Sequence, residues 1–265
     1  MTYPLAAERA LAVISLKGQM AHKFNWLIGV ILGGSSLLVG MALWRHLLDD
    51  GSMAGYDWEA MRAYIVISFV TITLAYGGAH GQVAERILDG MVAIDLTRPV
   101  DFQRARAAEY IGSMIASLPT AAIGSVGAWL LFTPPAPASA LAGALTAVSI
   151  LLLFPLSFEV VYLSVLACFW THRYGTIMFA RESLVAFFSG VTIPLALMPS
   201  WLQALAWCLP FPHFTTTPSS IYLGRVDTLG ALGLIAAEAA WVIGLWVAAR
   251  VLWRHAVKQV TIHGG

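Results

Sequence analysis

The sequence predicts an all-α integral membrane protein with six transmembrane helices, and three observations carry that prediction. Long apolar stretches recur along the chain, divided by polar or charged segments. Hydrophobic residues make up 59% of the 265 residues and charged residues only 11%, against about 25% charged in a soluble domain. The stretches run continuously, without the two-residue alternation of a barrel strand. In lipid only helices and closed barrels satisfy their own backbone polar groups, so helices are expected.

The whole chain, 1–265, reads as one membrane domain. Residues 1–23 carry Glu8, Arg9 and Lys17 among Leu5, Leu11, Ile14 and Leu16. That mixture predicts an amphipathic helix lying on the membrane surface rather than a cleaved signal. The first span, 24–44, is rich in small residues, and Gly29 with Gly33 forms a GxxxG pair that allows close helix approach, within the chain or to a second copy. The second span is 62–80. A charged segment follows at 82–108, then spans at 109–132, 140–170 and 176–198. Thr133–Ser139 holds three prolines and is a tight turn. Residues 199–225 are too apolar for a free loop and too broken for a clean span, so they read as a re-entrant or interfacial hairpin. The last span is 229–252, with a basic tail at 253–265.

Arginines and lysines sit mainly before the first span, between the second and third, between the fourth and fifth, and after the sixth. The positive-inside rule puts those segments and both termini in the cytoplasm. Cys168 and Cys208 then lie at opposite ends of their spans and should not pair. The seven histidines, His22, His46, His80, His172, His213, His255 and His263, are scattered near span ends and form no metal cluster. The chain has no Gly-rich phosphate loop, no HExxH and no GxSxG elbow, so neither a nucleotide site of that kind nor catalytic machinery is expected in it. No nucleic-acid partner is expected; lipid is.

Four ionisable groups fall inside spans, where charge is costly and functional by default: Glu159, Arg181, Glu182 and Glu238. Arg181 can pair with Glu159 across the short 171–175 turn. Such a pair is either a polar transport path or a structural tie, and Glu182 is expected to snorkel to the interface.

Ala84–Arg106 begins with helix formers and charges, is interrupted at Gly90, and turns extended at Arg98-Pro99. Asp101 then opens a new helix. At this stretch the chain resembles the six-span permeases of the ABC-2 exporter class, most of all a bacterial group with a Leu-x-Arg-Pro motif, here Leu96-Thr97-Arg98-Pro99. Phe179-Ala180-Arg181 resembles the family's Phe-Ala-Arg-Tyr-Pro stretch, with Glu182 and Ser183 in place of its tyrosine and proline. The proline-containing segment Leu209–Arg225 and the tail from Trp253 to Gly265 are also similar. The resemblance implies half of an ATP-driven exporter in the bacterial cytoplasmic membrane. Two permeases, as a homodimer or with a sister permease, would rest on a dimer of separate ABC ATPase subunits that hold the ATP and Mg. It implies no cofactor in this chain and a coupling surface of Glu85, Arg86, Asp89, Gly90, Arg98 and Pro99. The cargo would be amphipathic or hydrophobic: a drug, lipid, peptide or similar. Three other readings stay open: an ion- or proton-coupled carrier using the intramembrane carboxylates, a membrane-embedded lipid enzyme, and a membrane anchor for a cytoplasmic complex.

Overall fold

A computed structural model describes residues 3–21, 23–49, 51–77, 80–171 and 173–259. The predictions for His22, His172 and His263, and for the end of the tail, fall outside the described residues. Thirteen α-helices make up most of the described chain, with no strand among the described residues. Five helical stretches are long and apolar enough to cross a membrane: Trp26–Leu47, Trp58–Leu88, Phe102–Phe132, Ala140–Thr171 and Thr228–Gln259.

Helix α1 (Tyr3–Ala21) packs along α6 (Phe102–Ile115) rather than lying alone. Leu11 and Leu16 are half-buried there, while Leu5 and Ile14, expected on the same face, stay exposed. The approach is close because residue 112 is glycine: a Cβ there would sit 2.1 Å from the Ala12 carbonyl oxygen. Arg104 and Glu8 pair across the contact at 2.9 Å. The first span is α2 (Lys23–Leu47), packed against α3 (Trp58–Tyr76) and α7 (Leu118–Phe132). Asp57 caps α3 by accepting from the Ala60 amide. The third crossing is shared by α6 and α7, broken at Ala116–Ser117 with Pro119 opening the second piece. Between α3 and α6 lie α4 (His80–Leu88) and the single turn α5 (Val92–Asp95).

The centre of the molecule is α8 (Ala140–Leu166), in contact with α3, α6, α10, α12 and α13. It buries Leu153, Leu156, Phe158, Val161, Tyr162, Val165 and Leu166, a face repeating at helical spacing. A short turn, α9 (Cys168–Thr171), leads to α10 (Tyr174–Phe188).

The expected fifth span, 176–198, is not one helix. α10 has 15 residues, about 22 Å at 1.5 Å each, short of a core of about 30 Å. Gly190 stops it, at φ +86°, a conformation open to glycine and costly for residues with a Cβ. There is no room for one either: a Cβ would lie 2.5 Å from Thr216 Oγ1 and 2.7 Å from the Tyr64 hydroxyl. The bend is pinned from two sides. Tyr64 donates to the Gly190 carbonyl at 2.8 Å, and the Thr216 hydroxyl and amide both donate to the Ser189 carbonyl.

The segment expected as a hairpin holds α11 (Ser200–Trp207) and α12 (Pro212–Tyr222). α12 is folded into the bundle against α3, α8 and α13 (Thr228–Ala256). Its run His213–Ser219 is buried although it is mostly polar. The burial is tolerable because the threonine hydroxyls find partners: Thr215 meets Thr71 at 3.4 Å, Thr216 donates to the Ser189 carbonyl and Thr217 meets His213 Nδ1 at 3.0 Å. At the same end, Tyr222 donates to the Pro135 carbonyl, the Ala138 amide donates to the Tyr222 carbonyl, and Arg225 lies over the Tyr56 ring. Burial pushes the Tyr56 phenol up, and the Arg225 charge partly offsets it. Cys168 is buried, Cys208 is exposed, and both are free.

Candidate functional site

The charged segment between α3 and α6 is built on two faces. Val83, Ala84 and Ile87 lie at i, i+1 and i+4 of α4, and with Val92 of α5 they join the core beside Tyr162 and Cys168. The opposite face carries Glu85 and Asp89, both exposed, and a ridge of exposed apolar residues: Leu88, Met91, Ile94 and Leu96. Gly90 makes the turn between the two helices, and Arg98 and Pro99 follow, exposed.

One buried carboxylate holds this segment to the bundle. Arg86 Nη1 donates to both oxygens of Asp95, at 2.9 and 3.1 Å. Arg98 approaches Asp95 at 3.5 Å and Arg106 at 4.0 Å. Arg106 is itself buried, pairs with Glu109 at 2.7 Å, and lies over the Phe102 ring. Arg86 thus turns inward to Asp95, while Glu85 and Asp89 of the same helix face out. Asp101 caps α6 as expected, accepting from the Arg104 amide at 3.0 Å. Its other oxygen pairs with Arg250 of α13. Phe102 stacks on Trp253 of that helix with centroids 4.4 Å apart. The start of α6 therefore ties α1, the Asp95 cluster and α13 to a single point.

The intramembrane groups are arranged differently from the expected pairing. Arg181 does not meet Glu159. It contacts the Ser164 hydroxyl at 3.4 Å and Glu182 at 3.1 Å. Ser164 is five residues beyond Glu159 on α8, about 7.5 Å along the axis, so the two groups lie at different depths. Glu182 is half-exposed, consistent with a side chain reaching the interface. Glu159, fully buried, instead accepts through both of its carboxyl oxygens from the Gln103 Nε2 amide nitrogen, at 3.2 and 3.3 Å. Glu238, also fully buried, accepts from Ser149 at 2.7 Å. Each carboxyl has a named donor on a neighbouring helix, so the two tie α8 to α6 and α13 rather than forming one chain of groups.

Asp95, Gln103, Arg106 and Ser149 escaped sequence reasoning. A signal existed for the first, an acid in a stretch that carries Arg86, Arg98, Arg104 and Arg106. None existed for Gln103 and Ser149, since nothing in the chain marks which polar residue a helix rotation will aim at a carboxyl.

The family described as ABC-2 family transporter protein matches residues 30–264. The chain belongs to the ABC-2 transporter family. It is the membrane component of an ABC transporter, a transport component rather than a catalytic enzyme, and a multi-pass membrane protein. No curated protein matches the chain in sequence.

Proposed function

We propose that this ABC-2 permease moves an amphipathic or hydrophobic cargo out across a bacterial cytoplasmic membrane, driven by a separate ATPase dimer that carries the ATP and Mg. The charged end, with α1, α4 and α5, faces the cytoplasm, and both termini lie on that side. Two permeases, identical or sister chains, complete the complex. The observation that carries this reading is the two-faced α4–α5 segment. An apolar ridge flanked by Glu85 and Asp89 projects from the bundle, while Asp95 and its arginines fasten the segment behind it. An exposed apolar patch with a charged rim is the signature of a protein-binding surface.

The mechanism follows from that attachment. Closure of the ATPase pair pushes on the ridge. The Asp95 cluster passes the displacement to Arg106 and the start of α6, and from there to α1 and α13. The shift between inward and outward states is driven by whatever ATP binds better in one state than in the other. Gly90 permits the turn, and Arg98 and Pro99 close the segment.

The experiment is purification of the tagged protein from its native membrane, with E85K/D89K and D95N beside the wild type. The wild type is expected to bring a stoichiometric ATPase. E85K/D89K should lose it by reversing the rim charge. D95N should keep the ATPase but lose transport-linked hydrolysis, because the ridge stays while its fastening loosens. An ATPase retained in full by E85K/D89K, or none recovered with the wild type under any nucleotide condition, overturns the reading.

A further inference from the structure

Helix α1 divides its residues between two sides. Ala7, Glu8, Leu11, Ala12, Ser15 and Leu16 are half-buried, and they form the side that meets α6. The other side carries a stripe at four-residue spacing, Leu5, Arg9, Val13 and Lys17, all exposed. Ile14 and Met20 are exposed beside it. Residues four apart on a helix stand one above the other, so apolar and cationic side chains alternate along this stripe.

The charges are sorted in the same way. α1 holds one acid, Glu8, and two cations, Arg9 and Lys17. Glu8 is turned inward, with its side chain 17% exposed, and Arg104 of α6 holds it at 2.9 Å. Arg9 and Lys17 face out and pair with no acid among the described residues. The outward face therefore presents two positive charges, no negative one, and bare apolar side chains between them.

The chemistry of that face and its position name what covers it. Exposed apolar side chains gain from leaving water, and unpaired cations gain from a negatively charged surface. A bilayer interface of anionic lipid supplies both at once. Only residue 22 separates α1 from α2, and α2 opens with Phe24 and Trp26 exposed. Aromatic residues at the start of a span sit at headgroup level. Lys17 precedes Phe24 by seven residues, about 10 Å along a helix. Long cationic side chains lay their methylenes on apolar surface and keep the charge among the headgroups.

We infer that the outward face of α1 is a docking surface for phospholipid of net negative charge. Arg9 and Lys17 each take the phosphate of a headgroup, and Leu5, Val13, Ile14 and Met20 enter the acyl boundary. A surface helix held by apolar burial alone would take every lipid alike; this one selects. A zwitterionic headgroup offers the same phosphate beside a cation of its own, so it gains less from Arg9 and Lys17. The inference needs neither the ATPase nor a cargo and stands apart from the exporter reading.

The test uses the full chain in phosphatidylcholine nanodiscs. They hold equal small amounts of two photoreactive lipids, a phosphatidylglycerol and a phosphatidylcholine, each with a diazirine on the acyl chain beside the glycerol. Cross-linked peptides are mapped by mass spectrometry, and the ratio of the two lipids on peptides covering residues 3–21 is read. Phosphatidylglycerol is expected to lead about fivefold, the effect of one cation beside an anionic surface. R9Q/K17Q should bring the ratio near one while both lipids still label, because the apolar side chains remain. R9K/K17R should keep the preference, and about 1 M salt should weaken it in the wild type. Both residues are exposed, so these variants leave the packing on α6 in place. Cations elsewhere on the chain act alike in wild type and variant. A ratio near one in the wild type, or a preference unchanged in R9Q/K17Q, overturns the inference. So does an α1 that neither lipid labels, because a second copy or another protein then covers the face.

Discussion

Two of the apolar stretches are almost equally apolar and are used in opposite ways. Half of the most apolar window of Ala140–Thr171 is buried inside the bundle, against 11% of that of Trp26–Leu47. Hydropathy therefore says that a helix belongs in the membrane and says nothing about what it faces there. The polar residues make the difference. α8 carries Ser149, Ser157, Glu159 and Tyr162, all buried, and the first three are hydrogen-bonded to side chains on neighbouring helices. In lipid an unpaired group of this kind is expensive, so α8 is drawn to the centre. α2 carries glycines and serines that lipid tolerates; Ser35, for example, closes its hydroxyl on the Ile31 carbonyl of its own helix. It is left at the edge, with Ile31, Leu32, Leu38 and Val39 exposed.

The largest effect should come from cutting the same side chain out of the two helices. Leu156 of α8 is fully buried, and Leu38 of α2 is 47% exposed. L156A should cost about 3 kcal/mol, since the cavity it leaves is lined on all sides by the core. L38A should stay within about 0.5 kcal/mol. Thermal unfolding of both variants in one detergent, followed by tryptophan fluorescence, checks this. Equal losses would mean that α2 is as embedded as α8 and would end the distinction.

A smaller effect sharpens the role given to the polar residues. Q103L removes the donor of Glu159 and should cost about 2 kcal/mol, the value of a hydrogen bond to a carboxyl plus the penalty of leaving it bare. The double variant Q103L/E159L should be milder than Q103L alone, because a buried polar pair replaced by apolar residues often costs little while a broken one costs much. The same unfolding measurement gives both numbers. A double variant worse than the sum of the singles would show that α8 is centred for some reason other than satisfying Glu159.

The sequence made the membrane character, the α6 cap at Asp101 and the broken segment around Gly90 legible, because each is local. Apolar run length, an acid at a helix start and a glycine at a turn depend on few neighbours. The failures are not local. Glu159 and Arg181 were two buried charges joined by a short turn, yet depth and rotation send Arg181 to Ser164 and give Glu159 to Gln103. The run 176–198 read as one span because its hydropathy is unbroken; Gly190 and Pro194 carried the warning, but only the Tyr64 and Thr216 hydrogen bonds show why the chain turns there. The polar run Thr215–Ser219 falls within the hairpin expected at 199–225, and its burial shows only once helices α3 and α8 are placed around it. In the charged segment 82–108 the sequence groups Glu85 and Asp89 with Arg86, and the structure divides them, two facing out and one held by Asp95.

The smallest effect decides what covers α2. Gly29 and Gly33 look like one motif, but they are not equivalent within the chain. A Cβ on Gly33 would lie 3.1 Å from the Phe69 ring, whereas a Cβ on Gly29 or Gly34 meets nothing within 4 Å. In a helix that faces lipid, replacing glycine by alanine gains up to about 1 kcal/mol from reduced backbone freedom in the unfolded chain. G29A and G34A should therefore stabilise the isolated chain slightly, and G33A should gain less or lose. Inside an assembled complex the sign at Gly29 and Gly34 is the informative quantity. A helix from a second permease pressed onto this face would need the missing Cβ atoms, as close-packed membrane helices do, and the two substitutions would then weaken the dimer. Unfolding of the isolated chain and cross-linking of two copies in native membrane measure the two cases separately. Stabilisation in both leaves α2 facing lipid, while stabilisation of the chain with loss of the cross-link makes this sparsely buried helix the permease–permease contact.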